Sequence, residues 1–178
     1  MALGSVDQFK ARLTGGGARS NLFQVTMNNQ RGGLGVDVDA DLSSFLCEAA
    51  QLPASTVGTI IVPFRGRQLK MAGDRTFDVW TVTIINDTDF AIRNPMERWM
   101  NGMNAHSANT GLTTPIAYEA DLLVEQLDRS GDTLKKYTFR GSYPQDMSPI
   151  DLNYGTNDEI ERFTVTFAYQ YYETDTTT

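Results

Sequence analysis

The stretch GDRTFDVWTVTIIND, residues 73–87, constrains the fold more than any other part of the chain. Its middle carries Phe77, Val79, Trp80, Val82, Thr83, Ile84 and Ile85, the β-branched and aromatic types that suit a pleated, half-buried surface. At a period of two, Trp80, Val82 and Ile84 fall on one face. Phe77, Val79, Thr81 and Thr83 fall on the other, so both faces can be covered. Gly73-Asp74 reads as the turn that opens the strand and Asn86-Asp87 as the one that closes it. A strand covered on both sides is central, either in a sandwich or between a sheet and a helix. The expected core is built on Phe77, Trp80, Val82 and Ile84, joined by Trp99, Phe163 and Phe167.

The flanking sequence supplies more strands and little helix. Ser5–Leu13 reads as a short helix: Ser5 and Gln8 have capping-box spacing, and Val6, Phe9 and Leu13 line one face. Such a helix is too short to stand alone, so it must dock on its own domain or on a neighbouring copy. Asn21–Asn28 is the first strand. Arg31–Gly35 is glycine-rich but lacks a GK[ST] pattern and a following helix, and reads as a hairpin tip rather than a nucleotide loop. Val36–Ser44 alternates acids with small apolar residues, an extended insertion. Ser43–Ala50 fits a strand or a helical turn, ended by Leu52-Pro53.

Val57–Pro63 is a β-branched strand whose proline belongs at an edge or bend. Phe64–Lys70 follows as a hairpin into a short strand. Its Arg65, Arg67 and Lys70 are either a solvated turn or an ion-pairing patch that meets an acidic face of a neighbouring subunit. Thr88–Asn104 is the one substantial helix. Met96, Trp99, Met100 and Met103 form its buried stripe, Pro95 sits in its first turn, and Asn94 is its N-cap or part of a preceding turn. Asn101–Thr114 reads as an exposed, mobile loop.

Ala117–Asp128 alternates Tyr118, Ala120, Leu122 and Val124 against Glu119, Asp121 and Glu125. Arg129–Asp132 turns the chain, Thr133–Ser142 returns, and Tyr143–Gly155 is a loop. Glu161–Glu173 is the cleanest strand, with Phe163, Val165, Phe167, Tyr169 and Tyr171 on one face. Thr174–Thr178 reads as a disordered tail. The pattern implies a mainly β fold: two packed antiparallel sheets forming a barrel-like sandwich, with one flanking helix and a short N-terminal helix. At 178 residues the chain is expected to be a single domain, residues 1–178, with residues 1–20 as an N-terminal arm.

Composition excludes several classes of function. Fifteen basic against 22 acidic residues give a net charge of −7, a poor basis for gripping nucleic acid. No run approaches the roughly 18 apolar residues of a membrane span, and the N-terminus does not read as a secretory signal. Cys47 is the one cysteine and His106 the one histidine, so an internal disulfide, a Ser-His-Asp set and Cys/His metal spacing are not expected. Asp7, Asp37, Asp39 and Asp41 do not match an EF-hand loop, and nothing near Glu159 and Glu161 would raise one carboxyl pKa as a glycosidase pair requires. The expectation is no enzyme, no cofactor and no metal. Function then resides in the surfaces.

The stretch Ala72–Thr83 with Asn86-Asp87 resembles the tail tube proteins of contractile-tailed bacteriophages of the T-even type. Further matching pieces lie in order on both sides: Asn21–Val25, Leu52–Ala54, Gly141–Pro144 and Asn157–Thr166. The resemblance implies a structural virion protein, made in the host cytoplasm and resident in the phage tail. In this family rings of six subunits stack into a hollow inner tube, and genomic DNA passes through the lumen without specific binding. It further implies partners: other copies of itself, the tail sheath protein, baseplate proteins, a tape measure protein and a tail terminator. An acidic face such as Glu119, Asp121 and Glu125 would line the channel and repel DNA phosphates. The alternative is the inner tube of a phage-derived contractile injection system carrying protein cargo. The segment Arg31–Ser44 looks longer than in the T-even protein.

Overall fold

The computed structural model describes residues 5–28 and 38–177. In chain order the elements are α1 (Val6–Arg12), β1 (Phe23–Asn28), α2 (Ala40–Leu46), β2 (Cys47–Ala50), β3 (Ser55–Phe64), β4 (Arg67–Phe77), β5 (Trp80–Ile85), α3 (Arg93–Met103), β6 (Ala120–Leu127), β7 (Thr133–Met147), β8 (Arg162–Ala168) and β9 (Tyr171–Thr174). All strand pairing is antiparallel. Seven strands form one continuous sheet in the order β1-β6-β7-β8-β5-β2, with β9 beside β7, while β3 and β4 form a separate two-stranded ribbon.

The long strand β7 turns the seven-stranded sheet into a sandwich. Its first part pairs with β6 and β9, and its second part pairs with β8. The corner falls at Gly141, whose φ of +62° suits a residue without a Cβ; a Cβ there would also meet Gln170 Cγ at 2.8 Å. The inward faces of the two halves then meet. Val25, Met27, Leu122, Val124 and Phe139 come from one half and Trp80, Val82, Ile84, Phe163, Val165 and Phe167 from the other, all buried. Trp80 stacks on Phe139 with centroids 4.3 Å apart and lies 5.8 Å from Phe167. Its indole N–H donates to the Gln51 carbonyl at 2.7 Å, so the one polar atom of this large side chain is satisfied.

Two helices close the sandwich. Asp39 caps α2 by accepting from the Asp41 and Leu42 amides. The helix packs on β1, where the Met27 amide donates to the buried Ser43 Oγ at 3.2 Å. Helix α3 buries Met96 and Trp99, and the Trp99 indole donates to the Tyr118 carbonyl at 2.7 Å. Met100 and Met103, the rest of the expected stripe, are half-buried.

Several expectations are corrected. Gly73-Asp74 is no turn: it lies inside β4, and the central strand begins only at Trp80. Trp80, Val82 and Ile84 alternate with half-exposed Thr81, Thr83 and Ile85, so the outer face of this strand is not fully covered. Phe77 is half-buried at the base of the ribbon, against Tyr169 and Tyr172; it ends β4, and Asp78-Val79 separate it from β5. The strand after the hairpin tip is not short, since β4 runs eleven residues.

Within Val36–Ser44, the described part from Ala40 is helical rather than extended. Asp39 supplies the cap that the acid-rich spacing concealed. Ser43–Ala50 is both alternatives in succession, helix to Leu46 and strand from Cys47. The main helix starts at Arg93, five residues later than the sequence pattern suggested. Asn94 is not its N-cap and instead donates from its side chain to the Asp89 carbonyl. The 101–114 segment is helical to Met103 and then tied by an Asn104–Gly111 bridge.

Strand β7 continues through Tyr143–Met147, into the expected loop. The long final strand divides in two, because Gln170 leaves the β8 register to donate to the Arg140 carbonyl. Thr174 ends β9, and residues 174–177 fold into a turn held by threonine hydroxyls. The Arg31–Gly35 hairpin tip lies outside the described residues.

The packing gives a first prediction. Phe139→Ala removes the ring that joins both halves of the sandwich and should cost about 3–5 kcal/mol in urea unfolding. Leu152→Ala, on an exposed loop, should change stability by no more than about 0.5 kcal/mol.

Candidate functional site

The surfaces, rather than a pocket of reactive groups, hold the unusual chemistry. Among the described residues, no group of three His, Cys, Asp or Glu side chains is placed to hold a metal, and no helix is long and apolar enough to cross a membrane. Cys47 is buried at the start of β2, and burial pushes its thiol pKa up to about 12. It therefore stays neutral and unreactive at ordinary pH.

The three acids expected to share a face do so, but in mixed company. Asp121 and Glu125 point outward from β6, and Glu119 immediately precedes that strand. Arg140, on the neighbouring β7, reaches Asp121 at 2.6 Å and Glu173 of β9 at 2.8 Å. The hydrogen bonds to Glu173 and then Asp121 push the guanidinium pKa up, so this cation is fixed between two carboxylates. Glu119 accepts from Gln170 at 3.2 Å, and Glu125 from Thr133 at 3.4 Å and lies across from Lys136. The outer face of β1-β6-β7-β9 thus carries four acids against Lys136 and Arg140; of these Glu119, Asp121, Glu173 and Arg140 line a shallow groove of about 710 Å³, together with Ile116 and Tyr171. Sequence spacing located the three acids; Arg140 and Glu173 escaped it because they arrive from other strands.

The outer face of the other half-sheet is different. Thr81 and Thr83 on β5 sit beside Thr166 and Thr164 on β8, and the Thr81 and Thr166 hydroxyls are 3.1 Å apart. That surface is hydroxyl-rich, with Asp146 of β7 across from Thr166 and the Arg162–Glu48 ion pair at its end.

The β3–β4 ribbon is exposed along almost its whole length. All ten residues of β3 are exposed, and so are all of β4 except Gly73 and Phe77. Arg65 and Gly66 form its two-residue tip, both at positive φ (46° and 81°), the conformation that matches strand twist in tight hairpins. Arg65 lies over the Phe64 ring at 5.3 Å. Among the described residues, Arg65, Arg67 and Lys70 have no ion pair. Helix α1 has its capping box, but its apolar face is bare: Val6 is 69% and Phe9 66% exposed. Among the described residues nothing covers this face.

These surfaces belong to a known family. The sequence model of the phage tail tube protein family matches residues 18–175. The chain is 34% identical over 168 residues to the tail tube protein gp19 of Enterobacteria phage T4, covering 94% of this chain and 98% of that protein. It is 28% identical to the tail tube protein of Serratia phage KSP90, covering 94% and 95%. In fold it is similar to a chain of the PVC sheath–tube complex of an extracellular contractile injection system in its extended state. There the TM-score is 0.65 at 12% identity, over 97% of this chain and 99% of that one. A chain of the anti-feeding prophage tube-terminating cap aligns with the same TM-score at 16% identity, over 98% and 94%. The chain belongs to the phage tail tube protein family, structural proteins of the contractile tail.

Burial of Cys47 is directly testable. A thiol reagent at pH 8 should label the native chain only as fast as it unfolds, and label it at once in denaturant. Because the folded pKa is raised, the stability tied to the neutral thiol is complete below pH 9 and is lost as pH rises through about 12.

Proposed function

We propose that copies of this chain close into six-subunit rings and stack into the inner tube of a contractile phage tail, through which DNA leaves the particle. The observation that carries the reading is the exposed β3–β4 ribbon, in a chain matched almost end to end by tail tube proteins. A two-stranded ribbon with apolar side chains in water is marginal by itself and a hazard for indiscriminate association. A partner copy resolves both problems. The bare face of α1 points the same way, and its docking partner is a neighbouring copy. The sheath, baseplate, tape measure and tail terminator proteins are the further partners this role requires, and assembly takes place in the host cytoplasm.

The outer face of β1-β6-β7-β9 is the proposed lumen surface. Its excess of carboxylates would repel phosphates, and its single arginine is already held between Asp121 and Glu173, so DNA slides without gripping. The role requires no catalysis and no cofactor. The phage tube is favoured over an injection-system tube because the relatives at 28–34% identity are phage tail tube proteins, whereas the injection-system chains share the fold at 12–16%.

Electron microscopy of the purified chain, alone and with baseplates, should show hollow cylinders or six-subunit rings. Discrete rings of another size that never stack would overturn the tube. For the lumen, Glu119→Lys with Glu125→Lys reverses charge without touching the Arg140 pairs. Tubes of this variant should eject DNA more slowly and with a steeper salt dependence; unchanged ejection would assign the lumen to the threonine-rich face instead.

A further inference from the structure

The acidic groove on the outer face of β1-β6-β7-β9 is neither wholly polar nor confined to one spot. Ile116, on the short 3₁₀ turn Pro115–Ala117, stands over it 79% exposed, and Tyr171 at the start of β9 is 46% exposed. Gly141 gives the groove depth, since a Cβ at that corner would meet Gln170 at 2.8 Å and Glu119 at 3.1 Å. A smaller hollow of about 170 Å³ shares Arg140 and Glu173 with the groove and carries it on to Lys136 and Asp175. The two form one trough, and the four residues of β9 run beside it for roughly 13 Å. That length suits a run of several residues of another chain.

The charges of the trough are unequally engaged. Arg140 is held between Asp121 and Glu173. Glu119 accepts from the neutral Gln170 amide, and Asp175 from the Lys136 backbone N–H at 3.2 Å. Among the described residues neither Glu119 nor Asp175 has an ion pair. The trough therefore offers an incoming cation one carboxylate beside Ile116 and another in the smaller hollow. DNA can use neither feature: carboxylates repel its phosphates, and its backbone has no bulky apolar group to set on Ile116 and Tyr171. A protein segment that carries lysine or arginine around a bulky apolar residue uses both.

Resting on the tube and lumen reading above, we infer that this trough seats a basic, amphipathic segment of the protein that fills the channel before DNA, the tape measure protein of that reading. An apolar residue of the segment sets between Ile116 and Tyr171, and its lysines or arginines reach Glu119 and Asp175. One such seat is small and open to solvent, so it holds weakly. Repeated on every copy around and along a channel, it holds a long occupant by multiplicity and still lets each contact release separately. The same wall then serves two occupants in turn. Its carboxylates bind the basic protein while it is present and repel phosphates once it has gone.

Photo-cross-linking from the groove tests the seat. Ile116→Cys can be labelled with a benzophenone maleimide in the native chain, where buried Cys47 stays silent, and assembled on baseplates with the tape measure protein. Illumination should join this chain to the tape measure protein, at stretches where lysine or arginine flanks a bulky apolar residue. Adducts at acidic or wholly polar stretches would overturn the assigned chemistry. Adducts between two copies of this chain would make the trough a contact between subunits, and intact tubes without an adduct to the tape measure protein would remove the seat and leave the tube. A wild-type chain that forms no tube even on baseplates would remove the tube reading and the seat with it. Independently, Ile116→Ser with Tyr171→Ser leaves every charge in place. Tubes of that variant should retain about tenfold less tape measure protein through a salt wash than wild-type tubes; equal retention would overturn the seat.

Discussion

The stack of Trp80 on Phe139 is the interaction on which the rest of the fold depends. It joins the two halves of a sheet that is continuous through β7, and it exists only because that strand turns at Gly141. Phe139 also meets Tyr169 edge to face, with centroids 4.9 Å apart, where the chain passes from β8 to β9. Both strand crossings between the halves thus lie on one aromatic cluster. The helices are secondary to it: α2 covers the edge at β1, and α3 places Trp99 against Phe167, 6.3 Å between ring centroids.

Much of this was legible in the sequence, and the gaps have physical causes. Alternation located β5, β6 and β8 well, because each has one buried face, and a period of two records burial on one side directly. The ribbon misled. Gly73-Asp74 has turn composition, yet the residues sit in a strand exposed on both faces, where no packing selects against glycine or aspartate. Alternation across Gln170 likewise suggested a single strand. The break there is caused by a tertiary hydrogen bond to Arg140, which no local pattern carries. Helix α2 was hidden because Asp39 and Asp41 read as loop residues until the first is recognised as a cap.

The candidate surfaces divide in the same way. Glu119, Asp121 and Glu125 were visible as one face of one strand. Arg140 was not assigned to it, and it changes the character of that face from plainly acidic to acidic with a fixed, paired cation. Arg65, Arg67 and Lys70 were visible as a local cluster, but its extreme exposure is a property of the whole ribbon, which stands off the sandwich. The family likeness explains why a chain would keep so much apolar surface in water: the surface a single copy shows is not the one it shows in an assembly.

On the proposed tube reading, a ribbon that packs mainly on itself would also bear on the kinetics of growth. A two-stranded ribbon is marginal by itself, so part of the entropy of fixing it would be lost only when two copies meet. That makes the encounter of free copies inefficient, whereas a pre-formed end that presents several seats at once captures a newcomer readily. On the proposed reading such a chain would stay dissolved at concentrations where it would otherwise polymerise at random, and would elongate from a seed. On that reading the exposed ribbon would act as a timing device, delaying the polymer until something else has begun it.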